Sequence, residues 1–271
     1  MDEVPERDII QSIERGFTVL LAFDAELPEP TLADLAAATG LSRPAVRRIL
    51  LTLQKLGYVA NRGSRWTLTP QVLTIGQHYA ASHGVVEIAQ PHLVRVTERT
   101  GESASLAQLS GTDTVYVARV NVRRVLGLNV DIGTRLATHA TSSGQVLVAY
   151  SDADVVDAVV AAGLPQLTPR TITDAIAFRD RLHEIRSRGY AIVDSELEDG
   201  FLTAAAPVLD SHGRALAALA YSTSVARHSR DEVEREVVPV LLEVAADIRR
   251  SLEGVPEQAR WLRLSDRSSF S

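Results

Sequence analysis

The chain has no cysteine, one methionine and a single lysine, Lys55, in 271 residues. Without cysteine there are no disulfides and no thiolate metal sites, which fits a reducing compartment. Apolar runs long enough for a membrane are missing too. The longest uncharged stretch, Trp66–Val86, carries Pro70, Gly76, Gln71, Gln77, His78 and several threonines, a poor span. The start, MDEVPERDII, is charged and lacks the apolar core of a signal peptide. A soluble, cytoplasmic protein with no membrane association is the expectation. Phosphate loops of the G-x-x-x-x-G-K or G-x-G-x-x-G type do not occur. Seven histidines show no paired spacing with nearby carboxylates, so neither a metal nor a cofactor is expected.

One local absence matters more. Between Asp34 and Glu87 there is no acidic residue, while Arg43, Arg47, Arg48, Lys55, Arg62 and Arg65 all fall there. This stretch is therefore +6 in a chain of net charge −6, which leaves −12 on the remainder. Such asymmetry points to a cationic face for a polyanion, against the plainer alternative of a solvated helix face.

The length suits about two domains. Ile13, Phe17, Leu20 and Leu21 recur at helical spacing and predict a first helix over 8–25. Thr31 with Asp34 reads as a capping box for a short second helix ending at Gly40. Ser42 is placed to cap a third helix, with Pro44 in its first turn. At 100° per residue, Val46, Ile49, Leu50, Leu53 and Leu56 share one side of that helix. Arg43, Arg47, Arg48, Gln54 and Lys55 share the other. Residues 58–68 then read as two short strands around a turn at Asn61–Ser64, with Arg62 and Arg65 at or beside its tip. Helix, short helix, turn, basic helix and basic hairpin make a winged helix-turn-helix. Its third helix is expected to enter a DNA major groove. Ser42, Arg43 and Arg47 lie near the front of that helix, and Arg48, Lys55, Arg62 and Arg65 suit phosphates.

Pro70 marks a boundary. Residues 1–70 form the first module, 71–84 a linker helix, 85–253 a second domain and 254–271 a loose tail. The second domain opens with a helix over 87–100, with Ile88, Pro91, His92 and Val96 among its inward candidates. It continues with a hairpin over 103–120 and a strand over 125–130. Helices follow near Ser142, over 152–163 and over 175–188. A strand over 190–197, a second hairpin over 203–222 and a last helix from Ser229, capped by Glu232, complete it. Hairpins with helices grouped around them predict an α+β sensor-type domain.

The stretches "LADLAAATGLSRPAVRRILLTLQKLGYV", "IAQPHLVRVTERTGESASLAQL", "IGTRLATHATSSGQVLVAY" and "GYAIVDSELEDGFLTAAAPV" resemble the IclR family of bacterial transcriptional regulators. The likeness runs over about residues 8–250. Within the family, "YVARVNVRRVLGLNVDIGTRL" and "LTPRTITD" are similar to the Pca/Pob/Cat branch, which controls catabolism of aromatic acids. The resemblance implies a winged helix-turn-helix joined by a helix to a GAF-like α+β ligand-binding domain. It implies homodimers or homotetramers on palindromic double-stranded DNA operators, with the first helix as interface, and a small organic acid as effector. One departure stands out. The family usually has Arg or Lys after the glycine of the effector helix, and here Gln145 follows Gly144.

A helix starting at Thr141–Gly144 exposes backbone N–H groups, and its dipole favours an anion. Ser142, Ser143 and Gly144 are therefore candidate effector contacts, with Ser142 as a mere helix cap the alternative. The resemblance adds Val193, Thr203 and Ser222. Leu126, Leu128 and Leu136 are candidates for an apolar wall, and Arg135 for a counter-charge. Two other readings compete. A pure scaffold would bind no ligand. A hydrolase would use His139, Ser142 or Ser143, and Asp194 as a triad, although no G-x-S-x-G elbow occurs.

Overall fold

The structure, a computed structural model, describes residues 8–24, 27–76, 84–122 and 130–253. It divides into two compact units, Met1–Tyr79 and Ala80–Ser271. Half of the expected linker helix, residues 77–83, lies outside the described residues, as does the tail from 254.

The first unit contains α1 (Gln11–Leu21), α2 (Leu32–Thr39), α3 (Arg43–Lys55) and the hairpin β1 (Val59–Arg62) and β2 (Arg65–Leu68). Its core is small: Val19, Leu35, Val46, Leu50, Val59 and Trp66. The α2 capping box forms as expected, with the Asp34 backbone N–H donating to Thr31 Oγ1 and the Thr31 N–H to Asp34 Oδ2. Gly40, at φ 69°, supplies the left-handed residue that lets the chain leave α2 and turn into α3. Three expectations need correction. The first helix is shorter than 8–25, and Ile13, Phe17 and Leu21 stand on its exposed side while Val19 holds the core. Ser42 occupies the N-cap of α3 but its side chain makes no capping hydrogen bond. Leu56, assigned to the inner face, is 58% exposed, because the helix ends before its last turn reaches the core.

The second unit runs α4 (Gly84–Thr100), β3 (Ser103–Ser110), β4 (Asp113–Val120), β5 (Arg135–Ala137), α5 (Ser142–Ala149), α6 (Ala153–Ala161), α7 (Ala175–Arg188), β6 (Ala191–Asp194), β7 (Phe201–Leu209) and β8 (Ala215–Ser224). It closes with α8 (Arg230–Glu232), a π turn (Val233–Val237) and α9 (Val238–Glu253). The six strands form one antiparallel sheet in the order β5-β4-β3-β8-β7-β6. One face packs on α4 and α9 through Leu93, Val96, Leu241, Val244 and Ile248. The other packs on α5, α6 and α7 through Val146, Val159, Phe178, Leu182 and Ile185. This is the expected α+β, GAF-like arrangement.

The α4 stripe is Val85, Ala89, Leu93 and Val96, spaced at three and four residues, and Pro91 is exposed. The expected strand over 125–130 falls on residues 123–129, outside the described residues, apart from Val130. The strand expected over 190–197 stops at Asp194, because Ser195 turns at φ 58°. The last helix carries its capping box at Ser229 and Glu232 and then widens into the π turn. Pro239 follows that turn. It lacks an N–H and its ring would crowd the carbonyl four residues back, so the wider turn accommodates it.

Candidate functional site

Two sites emerge, one in each unit. In the first, Val46 and Leu50 anchor α3 in the core while Arg43, Arg47, Arg48 and Lys55 stand exposed on the opposite side. Arg62 and Arg65 flank the wing turn Gly63–Ser64 and pair across the hairpin. Among the described residues, Arg43, Arg47, Arg48, Lys55 and Arg62 form no ion pair. A row of exposed cations with no local neutralisation suits phosphates and base edges. Arg65 differs, since its Nη1 donates to the Glu29 carbonyl at 2.8 Å. The strand it begins also bridges to Thr31, so this arginine ties the wing to the start of α2.

The second site lies on the sheet face that meets α5. Cross-strand partners in an antiparallel sheet point to the same side. The register places Val193, Thr203, Ser222 and Ser103 in one row. The next row is Ala191, Ala205, Ala220, Ser105 and Arg119, and the row beyond holds Pro207, Ala218, Ala107 and Tyr116. Val193, Thr203 and Ser222, far apart in sequence, are thus adjacent. Ser105, Tyr116 and Arg119 went unnoticed in the sequence, because only the pairing of β3 with β4 and β8 brings them to this face.

The α5 start is fully buried. Its cap is Thr141, whose Oγ1 accepts from the Gly144 N–H at 3.1 Å, so Ser142 is not the cap. Ser143 Oγ lies 3.3 Å from the Tyr116 hydroxyl. Burial raises the Tyr116 pKa, against the lowering effects of Ser143 and Arg119. Gly144 does not open the backbone to a ligand. A Cβ there would sit 2.3 Å from the Thr138 carbonyl oxygen and 2.6 Å from Thr114 Oγ1. The glycine lets α5 lie against its own approach segment. Gln145 Nε2 donates to the His139 carbonyl at 2.8 Å and to Glu196 Oε2 at 2.9 Å. Its Oε1 is buried without a partner. Glu196 is buried, and that burial raises its pKa against the nearby Arg181, Gln145 and Arg230.

Leu136 is half-buried on β5, packed against the α5-side core. Leu126 and Leu128 lie outside the described residues. Arg135 is a poor counter-charge, because its guanidinium is held at the exposed sheet edge by Asp113 and Ser110. The hydrolase triad does not assemble. His139 Nε2 meets the Pro165 carbonyl, Ser143 meets Tyr116, and Asp194 pairs with Arg170. Among the described residues no group of three His, Cys, Asp or Glu side chains is placed to hold a metal, and no helix is long and apolar enough to cross a membrane.

A winged helix-turn-helix in the same chain as a GAF-like α+β domain defines a one-component transcriptional regulator: one module for DNA, one for an effector. Comparison with known sequences agrees. Residues 12–63 match the IclR helix-turn-helix domain, and residues 77–250 match the bacterial transcriptional regulator IclR C-terminal domain. The chain belongs to the IclR family of transcriptional regulators. It is 36% identical to the Pca regulon regulatory protein of Pseudomonas putida, over 91% of this chain and 86% of that one. Among solved structures it resembles a transcriptional regulator from Rhodococcus sp. RHA1, with 40% identity and a TM-score of 0.82 over 92% of this chain and 100% of that one. The inducer-binding domain of an Acinetobacter PobR double mutant, in complex with 3-hydroxybenzoic acid, matches 60% of this chain and 97% of that one. Its identity is 31% and its TM-score 0.57. These relatives are named as regulators, not enzymes.

Proposed function

We propose that this regulator binds a palindromic operator as a homodimer or a pair of dimers in the cytoplasm, and that a small aromatic or ring-cleavage carboxylate sets its occupancy. Residues 1–70 serve as the DNA module, 71–84 as the connection and 85–253 as the effector domain. Ser42, Arg43 and Arg47 read base edges, and Arg48, Lys55, Arg62 and Arg65 meet phosphates. Ser142, Ser143, Val193, Thr203 and Ser222 contribute to the effector site, with Leu126, Leu128 and Leu136 as its apolar side. Gly144 contributes by setting where α5 begins. The observation that carries the DNA reading is the row of exposed cations along α3 and at Arg62 of the wing, which form no ion pair among the described residues.

The effector reading is supported by the adjacency of Val193, Thr203 and Ser222 on the sheet face that the buried α5 covers. The 3-hydroxybenzoic acid in the PobR-domain complex supports the same chemistry. Calorimetric titration of the full chain with protocatechuate, 4-hydroxybenzoate, cis,cis-muconate and β-ketoadipate tests it. Binding of at least one, lost in both Ser143→Leu and Thr203→Leu with the fold intact, is expected. Binding undiminished in both variants would move the site elsewhere.

A further inference from the structure

We propose that Arg119 is the counter-charge for the effector's carboxylate, placed at the charged end of a polar basin formed with Ser105, Tyr116 and the start of α5. The inference rests on the effector reading above and assigns the residue that makes the site select acids.

The face that α5 covers is not uniformly apolar. Ala107, Ala205, Ala218 and Ala220 lie at its centre, where α5 rests on β7 and β8, and small side chains there permit a close approach. Along the strands the composition then changes, one row earlier on β3 and β4 than on β7 and β8. Ala205 gives way to Thr203 on β7 and Ala220 to Ser222 on β8. On β3, Ala107 gives way to Ser105 and Ser103. On β4, beyond Tyr116, the face presents Arg119 opposite Ser105. Ser105 is nonetheless buried, as is Ser103, whose hydroxyl donates to Asn121 Oδ1 and accepts from the Val122 N–H. Helix packing alone does not call for hydroxyls and a guanidinium on a covered sheet face, where apolar side chains would pack at lower desolvation cost.

Three features converge here on a negative charge. Arg119 is half-buried, and the loss of solvent opposes its charged form, while Tyr116 and Asp131 act in the other direction. A guanidinium stays protonated in such a place and gains most from a planar carboxylate that accepts two hydrogen bonds. The Tyr116 hydroxyl links this arginine electrostatically to Ser143 in the first turn of α5, whose N-terminal dipole also favours an anion. Asp131, exposed, favours the charged form of Arg119. Arg135 does not compete for the ligand, since Asp113 and Ser110 engage it at the sheet edge.

The test separates charge recognition from shape. Full-length wild type, Arg119→Gln and Arg119→Lys are titrated calorimetrically with 4-hydroxybenzoate and with 4-hydroxybenzamide, which keeps the ring and hydroxyl but not the charge. Protocatechuate and its amide make a second pair. Wild type is expected to favour the acid by roughly tenfold to a hundredfold, the range for charge-assisted hydrogen bonds. Arg119→Gln is expected to abolish that preference by weakening the acid and leaving the amide unchanged, and Arg119→Lys to keep part of it. An acid-to-amide ratio in Arg119→Gln equal to that of wild type overturns the assignment while leaving the effector reading in place. If Arg119→Gln does not fold, Arg119→Lys decides, since an unchanged acid affinity without the bidentate fork also overturns it. Failure of wild type to bind any of these acids removes the effector reading and this inference together.

Discussion

Gln145 stands where the family usually carries a cation, and Glu196 registers the difference. The carboxylate is buried, accepts from Gln145 Nε2, and has Arg181 only at 3.4 Å. Because burial raises its pKa, the folded protein holds a proton that the unfolded chain releases. Stability is then fully present below the ordinary glutamate pKa and falls as pH rises through the folded value. Glu196→Gln is expected to remove this fall, and Gln145→Arg to reverse it by pairing the charge. Melting temperatures from about pH 4 to pH 8 check both, and identical pH slopes in all three proteins would disprove the account. Gly144→Ala tests a steric point. The new methyl would strike the Thr138 backbone, so a loss of about 1–3 kcal/mol in urea unfolding is expected.

In the recognition helix and wing, neighbouring arginines differ in role. Arg47→Ala is expected to cost about 1–3 kcal/mol on one operator and to relax a single base position. Arg62→Ala is expected to weaken all DNA alike and to lower the slope of log affinity against log salt by about one. Its melting temperature should not change, because Arg62 forms no ion pair among the described residues. Arg65→Ala should lower both, since it also loses the hydrogen bond to the Glu29 carbonyl. Gel shifts across a salt series, with melts of the same proteins, resolve the three. Affinity unchanged in all three variants would detach this face from DNA.

For the whole molecule, charge and size set the requirements. One recognition helix covers a few base pairs, too few to single out an operator, whereas two half-sites about one helical turn apart suffice. The exposed side of α1, with Ile13 at 55%, Phe17 at 53% and Leu21 at 75%, offers an apolar strip to a second copy. Phe17→Glu is expected to shift light scattering toward the monomer and to reduce operator affinity at least tenfold. A monomeric wild type at micromolar concentration, with and without DNA, would defeat the dimer. The remainder of the chain, at −12 against +6 on the stretch between Asp34 and Glu87, favours approach to DNA by the basic face.

The DNA module was legible in sequence because its determinants are local. Helical spacing, the Thr31–Asp34 box, Gly40 and a basic face within one helix act over a few residues, and the box, the glycine and the basic face appear as expected, while the stripe of the first helix lies exposed. Five of the six described strands of the second domain were legible for the same reason, whereas the three-residue β5, Arg135–Ala137, was not. The order β5-β4-β3-β8-β7-β6 was not, nor was the shared face it creates. Thr203 and Ser222 were placed by family likeness alone. Ser105, Tyr116 and Arg119 are ordinary residues until β3 pairs with both β4 and β8. Gly144, named from sequence as a candidate effector contact, has the Thr138 backbone where a side chain would begin. The physical reason is range. Capping and periodicity are set by neighbours in the chain, whereas a binding face depends on strand register, and register is decided by the packing of the whole sheet against its two helical layers.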